Sequence, residues 1–349
     1  MKILILKPSS LGDVIQALPV LRLLRKEFPS AEIHWWIDAA LAPLLQNDPD
    51  LTGLYRFHRQ RWAYPSHWAE ISATIAAMRR QHFDWVIDLQ SLARSGVFAW
   101  LANGGLTIGL DDSREGARGF YDMAVRRASA STHAVDWYLS VLSSLKVPID
   151  REFTWMSADP ETAIAAGERW PMASARWIVL NPGARWANKR WPVEYFSGLV
   201  RELGRDFPDY RCAILGGAAD RSAAAEIAQA DPVRCLNLAG QTSLREMVEW
   251  IRRGEVLVTN DTGPMHIGAA LGRPVVAVFG PTDPQRTGPY GQIAEALRVP
   301  LPCAPCLKDY CANPVTLECL RALTPDGVRG KILTRLSQRE RRDMFIVSE

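Results

Sequence analysis

The sequence predicts an α/β fold made of two doubly wound domains, each built on a parallel sheet. Three observations lead there. Short continuous apolar runs, such as KILIL (2–6), DWVIDLQ (84–90), WIVLN (177–181) and VVAVF (275–279), alternate with stretches of helical period, as strands buried on both faces of a parallel sheet do. The alternation starts afresh near residue 177, after a segment from 148 to 176 that holds Pro148, Pro160 and Pro171. And 349 residues are many for one core but comfortable for two. We place the first domain at 1–160, the second at 161–325, and a terminal helix at 326–349 that packs back toward the first domain.

The first strand, 2–6, is followed by the loop KPSSLGD (7–13) and an amphipathic helix over 14–28 with Ile15, Leu18, Leu21 and Leu24 on one face. Asp13 thus stands at the carboxyl end of a strand, a favoured place for chemistry, although taken alone it reads better as a helix cap. A strand at 32–37 and a helix at 39–46 come next. Residues 55–68 are basic and aromatic without a clean period. Arg56, Arg59, Arg61, Trp62 and Trp68 read equally as a solvated loop or as a site for an anionic, sugar-bearing acceptor. A helix at 66–81 leads to the strand 84–90 and a polar loop through Gln90, Ser91 and Arg94. A short strand at 107–110 precedes a polar loop with Arg114 and Arg118, a second candidate acceptor surface, and a helix at 133–145 closes the domain.

The second domain opens with the strand 177–184, ending in Asn-Pro-Gly, and RWANKRWP, after which Pro192 suits the start of a helix over 193–203. Lys189 and Arg190 join a cation to backbone donors, as a diphosphate requires, but a solvated pair is as good a reading. A strand at 212–217 ends in Gly-Gly and feeds a helix reaching residue 230. Ser243 and Glu246 make a capping-box match for another helix. The central stretch is 256–291: a strand, a turn at Asn260-Asp261-Thr262-Gly263, a helix at 264–271, a strand at 275–279 and the loop GPTDP. Asp-Thr-Gly at a strand-to-helix junction offers free N–H groups to a phosphate. A mere capping turn has the same look, and the second polar loop beside it favours the ligand. His266, alone, reads as a core histidine.

Composition narrows the function. A net charge of +3 over this length argues against a dedicated nucleic-acid binder. No apolar run is long enough to span a bilayer, and the apolar part of MKILILKPSS is too short for a signal peptide, so a cytoplasmic location is expected. Cys303, Cys306, Cys311 and Cys319 fall in one segment, which reads as a structural zinc site or as free surface thiols. KPSSLGD lacks the G-x-G-x-x-G of a dehydrogenase-like Rossmann enzyme.

Together, KILILKPSSLGDVIQALP, NPGARWANKRWP and NDTGPMHIGAALGRPVVAVFGPTDP with TGPYG resemble glycosyltransferase family 9, the lipopolysaccharide heptosyltransferases. The resemblance implies a GT-B fold, two Rossmann-like domains with parallel sheets facing across a cleft. It implies inverting transfer of heptose from ADP-heptose, bound by the second domain, to a lipid-linked Kdo or heptose acceptor bound by the first. It makes Asp13 the general base and Lys189 the diphosphate cation, and it assigns Asp261, Thr262, Gly263, His266, Ala184, Arg185 and Asp220 to the donor. Ser9, Ser10 and Gly12 line the cleft by adjacency to Asp13. With no D-x-D pair in a strand-end loop, catalysis needing no metal is expected, so a zinc on the cysteines would be structural. A lipid acceptor implies peripheral contact with the inner membrane, which the basic loops assist. The alternatives are a GT-B transferase using another nucleotide sugar and a non-catalytic sugar-nucleotide binding protein.

Overall fold

Strand β1 (Lys2–Leu6) pairs with a parallel neighbour on each edge, and successive side chains from Ile3 to Leu6 are buried on both faces, which is why its apolar run has no polar alternation. This computed structural model describes residues 1–112 and 115–347, without the side chains of 339–347, and it divides into two compact units, Met1–Ser157 and Ala158–Glu349. The first unit holds a six-stranded parallel sheet of order β3-β2-β1-β4-β5-β6, with β2 Glu32–Asp38, β3 Gly53–Phe57, β4 Trp85–Asp88, β5 Leu106–Leu110 and β6 Met123–Val125. The order reverses between β1 and β4, so the crevice at their carboxyl ends is where this topology places a ligand.

Helices α1 (Leu11–Glu27), α2 (Trp68–Gln81), α3 (Ala93–Ala102) and α4 (Ala134–Ser144) belong to this unit. Several expectations need correction. Helix α1 starts three residues before residue 14, with Ser10 as its N-cap, so Asp13 sits in the first helical turn and not in the loop. The helix expected at 39–46 is only a short 3-10 turn, Ala42–Leu44, because Pro43 and the following Asn-Asp leave no room to extend it. The basic, aromatic segment begins as edge strand β3, and α3 and β6 are additional elements.

The second unit holds five parallel strands in the order β11-β10-β7-β8-β9: β7 Arg176–Asn181, β8 Tyr210–Ile214, β9 Cys235–Asn237, β10 Val256–Asn260 and β11 Val275–Val278. Its helices are α5 (Pro160–Arg169), α6 (Val193–Asp206), α7 (Arg221–Gln229), α8 (Leu244–Arg253), α9 (Gly263–Ala270), the single turns α10 (Pro284–Thr287) and α11 (Glu318–Arg321), and α12 (Pro325–Val347). Ser243 caps α8 with Glu246 closing the box, as the sequence suggests. Helix α12 runs past residue 338 through RERR, since Arg and Glu are good helix formers. Its Val328, Ile332 and Leu336 are buried in the second unit's own core with Leu199, Val276 and Leu320. The strand order reverses between β7 and β10, which brings Asn-Pro-Gly and Asn-Asp-Thr-Gly side by side.

Candidate active site

In the second unit the site is assembled by two asparagines at strand ends. Asn260 accepts from the backbone N–H of Trp191 at 3.0 Å and donates to the Pro182 carbonyl at 2.7 Å. Asn181 donates to the Gly183 carbonyl and to Thr259 Oγ1, each at 3.2 Å. These bonds fix the 182–191 segment over the end of β10. Inside that segment Arg190 Nε donates to the Ala184 carbonyl at 2.9 Å. A 3-10 turn, Ala187–Lys189, then presents the lysine.

Lys189 Nζ lies 2.6 Å from Asp261 Oδ2 and 4.7 Å from the centre of the Trp186 ring. Thr282 Oγ1, from the GPTDP loop, donates to the same carboxylate oxygen at 2.5 Å. Asp261 is buried, and its carboxylate therefore serves Lys189 and Thr282 rather than the helix: the N-cap of α9 is Thr262, and no side-chain cap hydrogen bond is made there. The capping reading of Asp261 and Thr262 thus fails, and the first turn of α9 keeps backbone donors of the kind that bind anions. A carboxylate repels a phosphate, so whatever Asp261 contributes to an anionic ligand passes through Lys189. Gly183, the half-buried Thr262 and Gly263, and the buried His266 belong to the same corner of the fold. Asp220 is near it too. Its Oδ2 accepts from Gly217 N at 2.9 Å, and a Cβ added to Gly183 would stand 2.5 Å from that oxygen, so only glycine permits the approach. Arg185 is exposed on the loop. Thr282, Asn260 and Asn181 stand in the turns and loops noted from sequence but were given no role there. Their signal was position, each closing or following a buried strand.

In the first unit Asp13 Oδ2 accepts from Ser10 N at 2.9 Å and Ser10 Oγ at 2.6 Å, while Oδ1 accepts from Tyr138 Oη at 3.4 Å. Ser9 is half-buried, Ser10 exposed and Gly12 buried around it. The arginines are less uniform. Arg56 and Arg59 are exposed, Arg61 lies 3.6 Å from Glu70, and Arg118 pairs with Asp111. Arg114 lies outside the described residues. Trp62 is buried, stacked on Phe98 at 5.7 Å and edge-on to Phe57 at 5.2 Å, so it is core and no sugar platform; Trp68 is exposed. The chain does hold one D-x-D, Asp48-Pro49-Asp50, but both carboxylates grip the buried Arg22 at 2.6 Å.

The four clustered cysteines line one cavity of about 630 Å³ with Asn188, Pro281, Lys308 and Tyr310. The Cys319 thiol is pushed up by burial and by Cys311, Cys303 and Cys306 nearby. Tetrahedral zinc needs its sulfurs about 2.3 Å from one point. Among the described residues no group of three or more His, Cys, Asp or Glu is placed to hold a metal ion, so the arrangement does not fit zinc, one of the two readings the sequence left open for these cysteines. No described helix is long and apolar enough to cross a membrane.

Two Rossmann-like parallel sheets, each with a reversal of strand order at the carboxyl ends of its strands, give the GT-B fold of the glycosyltransferases. The model of glycosyltransferase family 9 (heptosyltransferase) matches residues 71–316, and the chain belongs to that family. It is similar to lipopolysaccharide heptosyltransferase 1 of Pseudomonas aeruginosa, 29% identical over 91% of this chain and 89% of that one. Among solved structures, Escherichia coli heptosyltransferase WaaC with ADP matches at a TM-score of 0.78 and 26% identity, covering 96% of this chain and 100% of that one. E. coli ADP-heptose lipopolysaccharide heptosyltransferase II shares the fold at a TM-score of 0.79 and 24% identity, covering 97% and 100%.

Proposed function

We propose that this chain is an inverting heptosyltransferase of the lipopolysaccharide inner core, moving L-glycero-D-manno-heptose from ADP-heptose to a Kdo or heptose acceptor without a metal. The observation that carries the reading is the Lys189–Asp261 pair at 2.6 Å beside the start of α9. It holds a cation and backbone donors where a diphosphate would leave. The name of the Pseudomonas relative and the ADP in the WaaC structure support acceptor and donor respectively.

In this reaction the acceptor hydroxyl attacks the anomeric carbon as the bond from that carbon to the diphosphate oxygen breaks. Asp13 takes the hydroxyl proton, and Lys189 with the α9 N–H groups opposes the charge growing on ADP. Thr262, Gly263, His266, Ala184, Arg185 and Asp220 serve the donor. Ser9, Ser10, Gly12, Arg56, Arg59, Arg61, Arg114 and Arg118 serve the acceptor. Independence from a metal is supported by the engagement of Asp48 and Asp50 with Arg22, which leaves lysine and helix donors to compensate the diphosphate. The enzyme works at the cytoplasmic face of the inner membrane, its basic loops attracted to anionic lipid. Replacing Arg56, Arg59 and Arg61 by Ala should weaken binding to anionic vesicles, and unchanged binding would count against that placement.

The test is transfer from ADP-heptose to heptose-free inner-core lipid in EDTA, comparing the wild type with Asp13→Ala. Activity that survives chelation and collapses in the variant is expected. A wild type that transfers nothing yet binds another sugar nucleotide would overturn the donor and leave the fold.

A further inference from the structure

Behind Asp13 stand two buried polar groups that the proposed transfer does not use. Tyr138, on α4, is 4% exposed and its Oη donates to Asp13 Oδ1 at 3.4 Å. Lys7, which ends the β1 run, is 3% exposed. Its Nζ lies 4.8 Å from the centre of the Tyr138 ring and donates to the Leu89 carbonyl, at the end of β4, at 2.8 Å. A cation, a phenol and a carboxylate from three different elements thus meet at the β1/β4 reversal of the sheet, where the topology places chemistry.

Burying an ammonium is expensive, and a strand as apolar as KILIL has no structural need to end in one. Burial by itself would lower the Lys7 pKa, yet it is raised, because Tyr138, Asp13 and Asp88 together outweigh the lost hydration. The pairwise attraction between Lys7 and Asp13 works in both directions, so the charge kept on Lys7 opposes protonation of the nearby carboxylate, whose ionised form a general base needs. Burial pushes the Asp88 carboxyl up, and its oxygens are held by Tyr121 Oη at 2.7 Å and by the Gln90 and Ser91 N–H groups at 2.8 and 3.2 Å. Burial also raises the Tyr138 phenol, against the pull of Lys7 and Arg127, so it stays a donor at neutral pH.

Ser10 grips one oxygen of the carboxylate and Tyr138 reaches the other. The second contact adds a restraint on rotation about the bond to Cβ that the Ser10 contacts, both to Oδ2, do not supply. We infer that Tyr138 and Lys7 are positioning residues for Asp13: Tyr138 sets the rotation of the carboxylate through Oδ1, and Lys7 holds the phenol in place from behind. The inference rests on Asp13 being the general base. At 3.4 Å the contact is long, as catalytic hydrogen bonds often are outside the complex with substrate.

The test compares Tyr138→Phe, Lys7→Met and Asp13→Asn in heptosyl transfer across pH, with thermal unfolding as the check on folding. Tyr138→Phe keeps the ring and its packing. It should lower kcat about three- to tenfold, leave the KM for ADP-heptose unchanged, and move the acidic limb of the kcat profile to higher pH. Lys7→Met should move that limb further in the same direction. A Tyr138→Phe enzyme with wild-type kcat and an unmoved acidic limb overturns the inference, whether or not Lys7→Met folds. An Asp13→Asn enzyme that still transfers heptose overturns the general-base reading itself, whereas an inactive Asp13→Asn beside a normal Tyr138→Phe defeats only the positioning role.

Discussion

Replacing Lys189 by Met should cost stability and catalysis by separate mechanisms, and a second substitution should separate them. The Lys189–Asp261 pair is 2.6 Å long, worth about 6 kcal/mol of gross attraction at an effective dielectric of 20. Desolvation and side-chain ordering cancel most of that. What the single variant leaves behind is a carboxylate only 6% exposed, with Thr282 as its remaining hydrogen-bond donor among the described residues. Orphaning such a group costs roughly 3 kcal/mol, the low end of the range for buried pairs because the Lys189 side chain keeps some solvent. For a unit of this size that lowers Tm by about 6–12 °C. Removing the charge on the other side as well, in Lys189→Met/Asp261→Leu, should restore most of the loss, since a buried pair and an apolar pair are often equivalent. Catalysis should not return. If Lys189 opposes the departing diphosphate as proposed, its loss should cost about 10²–10³ in kcat in both variants. Thermal unfolding and steady-state transfer from ADP-heptose measure the two effects on the same samples. A double variant that transfers at the wild-type rate would refute the catalytic role, and a single variant with unchanged Tm would refute the burial argument.

Three further outcomes are expected. Glu246 is partly desolvated, but Ser243 N and Oγ and Arg169 outweigh that and hold its carboxyl below the usual range. Its contribution to stability is therefore present above the ordinary carboxylate pKa and lost as pH falls through the lowered one, so the difference in urea midpoint between wild type and Glu246→Gln should be large at about pH 7 and shrink toward about pH 3. Trp62→Ala should cost about 3–5 kcal/mol in urea unfolding, whereas Trp68→Ala should change stability by under about 0.5 kcal/mol. A Trp62→Ala protein of normal stability would contradict its place among Trp36, Phe57 and Phe98. In Gly183→Ala the new methyl must displace Asp220 from Gly217. ADP binding by calorimetry should weaken, and Gly183→Ala/Asp220→Ala should relieve the clash without regaining the Asp220 contact.

The interior strands were legible because each is buried on both faces, which forces an unbroken apolar run such as KILIL or VLV in β10. Edge strands lack that constraint. GLYRF in β3 is half-exposed and carries Arg56, so it read as part of a charged loop, and the three-residue β6 was too short to show a period. Helix α3 was missed because ARSGVFAWLA has small and apolar residues on nearly every face where it packs against α2 and β4. The donor corner was half legible. Asp-Thr-Gly and Asn-Pro-Gly stood out as glycine turns at strand ends. The ion pair joining them spans 72 residues of sequence and exists only because β7 and β10 are neighbours, a fact of strand order that neither segment encodes locally.

Asp13 shows how a local reading can name the right atoms and still pose the wrong choice. Cap and catalytic base were set against each other, yet the structure has Asp13 in the first turn of α1, its Oδ2 accepting from the N–H and hydroxyl of the N-cap Ser10. That is the reciprocal half of a capping box. The two roles are compatible because they need the same thing: the positive end of a helix favours an ionised carboxylate, and a carboxylate tied back to the N-cap has little freedom to rotate. Capping therefore does not count against the proposed general-base role. The sequence shows this much through SSLGD alone. What it hides is the opposite face of the carboxylate, where α4 and the end of β1 bring Tyr138 and Lys7 from 125 and six positions away. Tyr138 lies in no motif, and Lys7, though it opens KPSSLGD, was given no role there. Lys7 alone left a trace, a charge closing a strand that is otherwise buried on both sides, and a buried charge without a partner in its own segment points to a partner from another.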